Sequence, residues 1–343
     1  MVAMRASRRP VAGCLYGLAL GDALAAPTEF LTVEEIVDRF GEHGPEAPLG
    51  DPARVTDDTQ MTLAVGRALR AVSPGPLTAA RLEGPLRAEF VAWLHSPDND
   101  RAPGATCLQA CRALEAGVAW EQATVRASKG CGANMRVAPV GFLALRGTAE
   151  DATSAAVAQY QAAFTHGHPT ALAASDLTAR VVAELLTGCR PSELPGRLRQ
   201  YAREQRTVWH ADWLTGLWRR PGVDRPQEFI AWGWDECLAS LDRLDAALLL
   251  GDRAADPCRL TGAGWVAEEA LATGLLCFLL LPDDPVAAIR RAAVSSGDSD
   301  SIACLTGAFA GAAHGVEAWP QDWRRRIEYR REIEELAAAW EVQ

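Results

Sequence analysis

Nothing in the sequence alternates as a half-buried β-strand does, no two cysteines pair at CxxC spacing, and no apolar run approaches a membrane span. Without β-branched alternation and hairpin turns, a sheet-based fold is not expected. The nine cysteines are an odd number, so no disulfide framework is required and the chain is expected to be cytoplasmic. Cys107 and Cys111, at helical spacing, read as small buried side chains. The longest apolar stretch, 274–281, falls far short of the ~20 residues a membrane helix needs, so no membrane partner is expected. Basic residues are in deficit, 34 Lys and Arg against 44 Asp and Glu, giving a net charge of −10. That balance opposes the attraction on which binding to nucleic acid or anionic membranes depends.

What remains is a soluble globular composition, 49% hydrophobic and 23% charged over 343 residues, enough to bury a large core. Apolar residues recur three and four apart over 61–69, 152–164, 171–186 and 267–281, which predicts an all-α protein of about a dozen helices. Arg5, Arg8 and Arg9 before an apolar run imitate a secretory signal. Gly17, Gly21 and Asp22 interrupt that run and suit a packed helix better. Loops rich in Gly, Pro, Asn and Asp at 41–52, 96–104 and 128–139 are candidate rims of a site. The stretch 188–261, with Trp209, Trp213, Trp218, Trp232 and Trp234 among several prolines, reads as helices joined by turns and as a candidate peripheral insertion, the tryptophans being core anchors. Gly307, Gly311 and Gly315 recur every fourth residue, a small-residue stripe that lets another helix approach closely.

Two acidic clusters carry the chemistry. Thr56-Asp57-Asp58-Thr59 and Asp298-Ser299-Asp300-Ser301 each open a helical pattern. Either alone is explained as a helix cap, whose side-chain oxygen accepts from the orphan N–H groups of the first turn. Two clusters of hydroxyl and carboxylate oxygens, each held at a helix start, could instead converge on hard cations. If they do, the chain's ends meet, and 1–343 is a single domain although length alone suggests about two. Gly130 and Gly132, in Lys129-Gly130-Cys131-Gly132-Ala133-Asn134-Met135-Arg136, could turn backbone N–H groups toward phosphate oxygens or serve a tight turn before a helix. His166 and His168 flank Gly167 before Pro169 without partners at zinc spacing, which leaves a capping role or a substrate contact. Glu29 by itself is an ordinary surface acid.

Taken in order, Gly17-Leu18-Ala19-Leu20-Gly21-Asp22-Ala23-Leu24 with Glu29, Thr56-Asp57-Asp58-Thr59-Gln60-Met61, Arg101-Ala102-Pro103-Gly104, the segment 129–139, Thr165-His166 and Gly297-Asp298-Ser299-Asp300-Ser301-Ile302 resemble the ADP-ribosylglycohydrolases over most of the chain. The resemblance implies a compact single-domain orthogonal bundle of helices with two divalent cations, Mg2+ or Mn2+, at the base of a cleft for ADP-ribose. It assigns Thr56, Asp57, Asp58, Asp298, Asp300 and Ser301 as metal ligands, Ser301 standing where many relatives carry Thr. Glu29, Asp57 and Asp300 become the candidate catalytic carboxylates, and Gly130, Gly132, Asn134, Met135 and His166 the substrate-binding residues. The implied reaction is hydrolysis of the bond from ADP-ribose to an acceptor, most simply an ADP-ribosylated protein, by a monomer. Cleavage at the anomeric carbon develops positive charge there and needs a nucleophilic water and a proton source, for which divalent ions and spare carboxylates are suited. The alternatives are a metal-dependent hydrolase of another nucleoside-diphosphate compound and a non-catalytic ADP-ribose binder. The last predicts eroded ligands, whereas all six positions keep oxygen donors.

Overall fold

The structure is a computed structural model that describes residues 8–146 and 151–341. Arg5, part of the signal-like segment, lies outside the described residues. Among them there are eighteen α-helices and no sheet, only four isolated β-bridges. In chain order the helices are α1 (Pro10–Ala25), α2 (Val33–Phe40), α3 (Asp57–Ala71), α4 (Ala79–Leu94), α5 (Ala105–Glu115), α6 (Trp120–Ala123), α7 (Ala138–Gly141), α8 (Asp151–Ala163) and α9 (Pro169–Leu186). They continue as α10 (Leu194–Gln205), α11 (Ala211–Leu214), α12 (Pro226–Leu250), α13 (Cys258–Thr261), α14 (Ala267–Leu280), α15 (Pro285–Ala293), α16 (Ser299–His314), α17 (Gln321–Arg326) and α18 (Arg330–Trp340). The four periodic windows lie in α3, α8, α9 and α14. The helices beyond the expected dozen include four-residue turns too short to show a period.

At the centre α1 packs lengthwise on α16, its most extensive partner. Every residue of α1 from Val11 to Ala25 is buried, so the run that imitates a signal is a core helix. The two run antiparallel with backbones in contact. A methyl placed on Gly13 would lie 2.4 Å from the Gly311 carbonyl oxygen, on Gly17 2.1 Å from that of Gly307, and on Gly21 2.0 Å from that of Ala303. Glycines every fourth residue on both helices permit this, because any Cβ would strike backbone that cannot yield. The partner of the 307–315 stripe is thus α1. Its C-terminal end, carrying Asp22, is brought beside the first turn of α16.

Around this pair α9, α14 and α15 pack on α16, α3 packs on α4 and α7, and α18 closes over α1. The chain ends are tied by polar contacts as well. Glu334 of α18 accepts from the Tyr16 hydroxyl at 2.8 Å and from Arg9 at 2.7 Å, and Glu341 accepts from the Ala12 N–H at 3.0 Å.

The stretch 188–261 differs from its peripheral reading. The 25-residue α12 packs on α9 and α14 and buries Phe229, Ile230, Trp234 and Leu241, while Gly233 sits against the Pro169 backbone. Of the five tryptophans, Trp234 is fully buried, Trp209, Trp213 and Trp218 are half-buried against the core, and Trp232 is exposed. All nine cysteines are thiols, and no described helix is long and apolar enough to cross a membrane.

Two glycine substitutions separate packing from propensity. Gly17→Ala forces a methyl into the Gly307 carbonyl, whereas a methyl at Gly196 in α10 meets nothing within 4 Å. Urea unfolding should show Gly17→Ala losing about 1–3 kcal/mol or more and Gly196→Ala gaining about 0.5–1 kcal/mol. Equal stabilities for the two would contradict the close crossing.

Candidate metal centre

The first acidic cluster is held by an acid from another helix. Asp22, fully buried near the end of α1, accepts from the Thr56 N–H at 3.0 Å and from the Thr59 N–H at 3.1 Å, and from the Thr59 hydroxyl. Those N–H groups are orphans of the first turn of α3, so Asp22 caps α3 and the cluster's own carboxylates are spared that task. Asp57 Oδ2 accepts instead from the Gly104 N–H at 3.2 Å. Thr56, the N-cap, accepts from the Asp58 N–H only at 3.4 Å. Asp58 Oδ1 is buried with no hydrogen-bond partner at all. The second cluster departs further from simple capping, since Asp298 stands at the N-cap of α16 with no side-chain cap bond. Ser299 turns away from the acids and ties α16 to α1, its hydroxyl 3.0 Å from that of Thr28 and 3.3 Å from the Ala25 carbonyl.

The two clusters converge. Glu29, on the connection from α1 to α2, joins Asp298 and Asp300, with one carboxylate oxygen of each within 4.8 Å of the others. Burial, with the Asp300 charge second, pushes Asp22, Glu29, Asp58 and Asp298 above the ordinary carboxylate range, and burial does the same to Asp57 against a hydrogen bond from Gly104. Asp300, also raised by burial, is opposed by hydrogen bonds to Asp298 and from the Ser301 N–H. None of these six acids forms an ion pair with Arg, Lys or His among the described residues. Buried carboxylates ordinarily have such a partner. A set of carboxylate and hydroxyl oxygens with an orphan Asp58 oxygen fits a hard divalent cation. Thr56, Asp57, Asp58, Asp298, Asp300 and Ser301 all sit at this convergence, and Glu29 stands as close to Asp298 and Asp300 as a ligand would.

The neighbouring loop divides the remaining predicted residues. Residues 129–131 pair with 265–267, the Cys131 N–H reaching the Trp265 carbonyl at 3.1 Å and the Ala267 N–H reaching that of Lys129 at 2.9 Å. Gly130 and Gly132 are half-exposed and pack on His166, where a methyl on either would stand 3.3 Å and 3.1 Å from the ring. Asn134 and Met135 differ from expectation. Both are buried; the Asn134 amide donates to the Ala267 carbonyl at 3.1 Å, and the Met135 carbonyl faces Thr62 and Cys304. The Asn134 side chain thus ties the loop to the start of α14. His166 is positioned by a relay, in which buried Arg136 donates to Thr165 Oγ1 at 2.8 Å and Thr165 lies 2.7 Å from His166 Nδ1. Either atom of the Thr165–His166 contact can be the donor, and His166 Nε2 faces Gly130. Burial, aided by Arg136, pushes His166 down to about 3, so the ring is neutral at physiological pH. His168 caps α9, accepting from the Thr170 N–H at 3.2 Å.

Sequence reasoning missed Asp22 and Arg136 as organisers, and also the mouth of the site. Phe30 (66% exposed) stacks on Trp265 (43% exposed) with ring centres 5.5 Å apart, next in sequence to Glu29 and on the strap that backs Asp298. Arg101 spans the loop 96–104 to the segment before Thr56, donating to the Val55 carbonyl at 2.6 Å and to Glu328. A motif offers a weak signal for Asp22, which lies one helical turn past Gly17-Leu18. Nothing local marks Phe30 and Trp265, which are 235 positions apart.

The fold is all-helical among the described residues and carries a buried, oxygen-rich acid cluster beside a glycine loop. A family model described as ADP-ribosylglycohydrolase matches residues 3–343, and the chain belongs to that family. It is 27% identical over 336 residues to the ADP-ribosyl-[dinitrogen reductase] glycohydrolase of Rhodospirillum rubrum, covering 95% of each chain. It is 26% identical to the ADP-ribosylhydrolase ARH3 of Mus musculus, covering 95% of this chain and 89% of that one. It is 25% identical to the ADP-ribosylarginine hydrolase Tri1 of Pseudomonas putida, covering 95% and 76%. A solved structure described as an ADP-ribosylglycohydrolase-related protein complex superposes with a TM-score of 0.67 over 97% of both chains at 23% identity, a likeness of fold.

The acid cluster sets a pH signature. Folded-state pKa values raised above their unfolded values mean that the cation-free fold gains stability on protonation. That stability is fully present below about pH 4, the ordinary carboxylate range, and is lost as pH rises through about 7, where Asp22 and Asp57 titrate. The melting temperature of EDTA-treated protein should therefore fall from pH 5 to pH 8. Added Mn2+ should raise it by several degrees at pH 8 and hardly at pH 5, where the ligands hold protons. A cation effect independent of pH would contradict the cluster as the binding site.

Proposed function

We propose that this chain is a divalent-cation-dependent hydrolase that cleaves the bond between ADP-ribose and a modified protein side chain and releases ADP-ribose. The observation that carries the reading is the gathering of Glu29, Asp298 and Asp300, with Asp57 and Asp58 near enough to feel the Asp300 charge, none of them ion-paired to a base among the described residues. Mg2+ or Mn2+, two ions in the family reading, would be held by Thr56, Asp57, Asp58, Asp298, Asp300 and Ser301, and would supply charge stabilisation to the ribose hydroxyls and to an attacking water.

The residues around the acids divide the remaining work. Gly130 and Gly132 keep the loop free of side chains, so backbone N–H groups can approach diphosphate oxygens. His166 offers a neutral ring nitrogen at Nε2, oriented through Thr165 and Arg136. Glu29 is the half-exposed member of the acid group, able to reach both the buried acids and solvent. Burial and the charges of Asp300, Asp57 and Asp22 raise its pKa in the cation-free protein, and in the proposed reaction it would be the acid that passes a proton to the leaving group as the glycosidic bond breaks. The names of two relatives, which specify dinitrogen reductase and arginine, support a protein acceptor. The exposed Phe30–Trp265 stack beside Glu29 supports a planar cationic one, since a guanidinium stacks favourably on an indole face.

The test is release of ADP-ribose from ADP-ribosyl-arginine and ADP-ribosyl-serine peptides, with EDTA and then with Mg2+ or Mn2+ restored. Metal-dependent release from the arginine peptide is expected. Asp300→Ala should abolish it while unfolding remains cooperative, and Glu29→Gln should lower kcat about a hundredfold or more with cation binding retained. Undiminished turnover in Asp300→Ala, or cation loss in Glu29→Gln, would overturn the respective roles.

A further inference from the structure

Away from the acid cluster, a cavity of about 420 Å³ opens between α15, the end of α14, the turn after α12 and the loop 41–52. Its volume is that of a small-molecule site. Arg253, Arg290 and Arg291 line it together with the apolar Leu281 and Val294. Three guanidinium groups from two segments of the chain gather on this one cavity. None of the three forms an ion pair among the described residues. Glu42 also lines the cavity without pairing to them. Asp252, next to Arg253, is engaged in capping the Ala254 and Ala255 N–H groups at 2.8 and 3.0 Å. Arg290 Nε and Arg291 Nε are buried and have no hydrogen-bond partner, although Arg291 also donates to the Val294 carbonyl at 2.9 Å.

Arginines in the last turn of α15 would complement the helix dipole. That explanation needs only solvated charges within α15. It does not account for Arg253 arriving from a different segment or for the cavity that the three share. Guanidinium forks match phosphate oxygens in geometry and charge. We propose that this cavity binds a phosphate monoester of mononucleotide size, with its phosphate held by Arg253, Arg290 and Arg291 and its apolar body against Leu281 and Val294. The site is separate from the acid cluster and stands whether or not the proposed hydrolysis is correct.

Isothermal titration of the full chain with AMP, and separately with inorganic phosphate, at 150 mM salt tests this. AMP should bind one site with Kd below about 1 mM, and more weakly by at least about tenfold in Arg290→Gln. Arg253→Gln, an exposed position where folding is not at stake, should weaken it in the same way. Asp300→Ala, in the other site, should leave it unchanged. Tighter binding of AMP than of phosphate identifies an organic phosphate, and equal binding identifies the free ion as the natural source. No binding of either probe overturns the proposal, as does AMP binding that survives both arginine variants or is lost in Asp300→Ala.

Discussion

The contact on which the rest depends is the backbone-to-backbone crossing of α1 and α16. With Gly13, Gly17 and Gly21 facing Gly311, Gly307 and Ala303, the axes approach as closely as side-chain-free surfaces allow, and the two helices must run antiparallel in one register. That register delivers the end of α1 to the start of α16. Asp22 and Asp300 are consequently neighbours although 278 positions separate them. Asp22 in turn caps α3, which fixes Thr56, Asp57 and Asp58 to the same point. Ser299 and Thr28 lock the joint from the opposite side. One steric constraint thus sets the positions of acids drawn from three helices, Asp22 of α1, Asp57 and Asp58 of α3 and Asp300 of α16.

The cost of that arrangement is electrostatic. Six carboxylates share a buried region, each raising its neighbours' affinity for protons, while the arginines nearby are committed elsewhere. Arg101 binds Glu328 and the Val55 carbonyl, and Arg136 binds Gln161 and Thr165 and lies over the Phe90 ring. A fold that surrounds such a charge with apolar core tolerates it only if protons or cations neutralise it. No Arg, Lys or His among the described residues pairs with these acids, which is the observation behind the proposed cation.

Much of this was legible in the sequence. The period of the long helices, the helical placement of both acidic clusters and the meaning of the 307–315 glycine stripe are local properties, encoded by spacing within a few turns. The identity of the stripe's partner was also written there, as Gly13, Gly17 and Gly21, but recognising it required matching two distant patterns. Other features were not readable for physical reasons. Asn134 and Met135 sit in a motif of otherwise exposed glycines, and only the pairing of 129–131 with 265–267 turns their side chains inward. The stretch 188–261 reads as irregular because prolines punctuate it, yet α12 begins at Pro226, a first-turn position that helices accept readily. Phe30 and Trp265, or Arg253 and Arg290, come together through tertiary packing alone and leave no spacing to read.

In the proposed reading a divalent cation fills the place between the starts of α3 and α16. Anomalous diffraction from crystals soaked in MnCl2 locates it directly. The prediction is a strong anomalous peak bounded by Asp57, Asp58, Asp298 and Asp300, with Thr56 and Ser301 oxygens in reach. Manganese bound elsewhere on the surface, with the acid cluster empty at the same concentration, would contradict it.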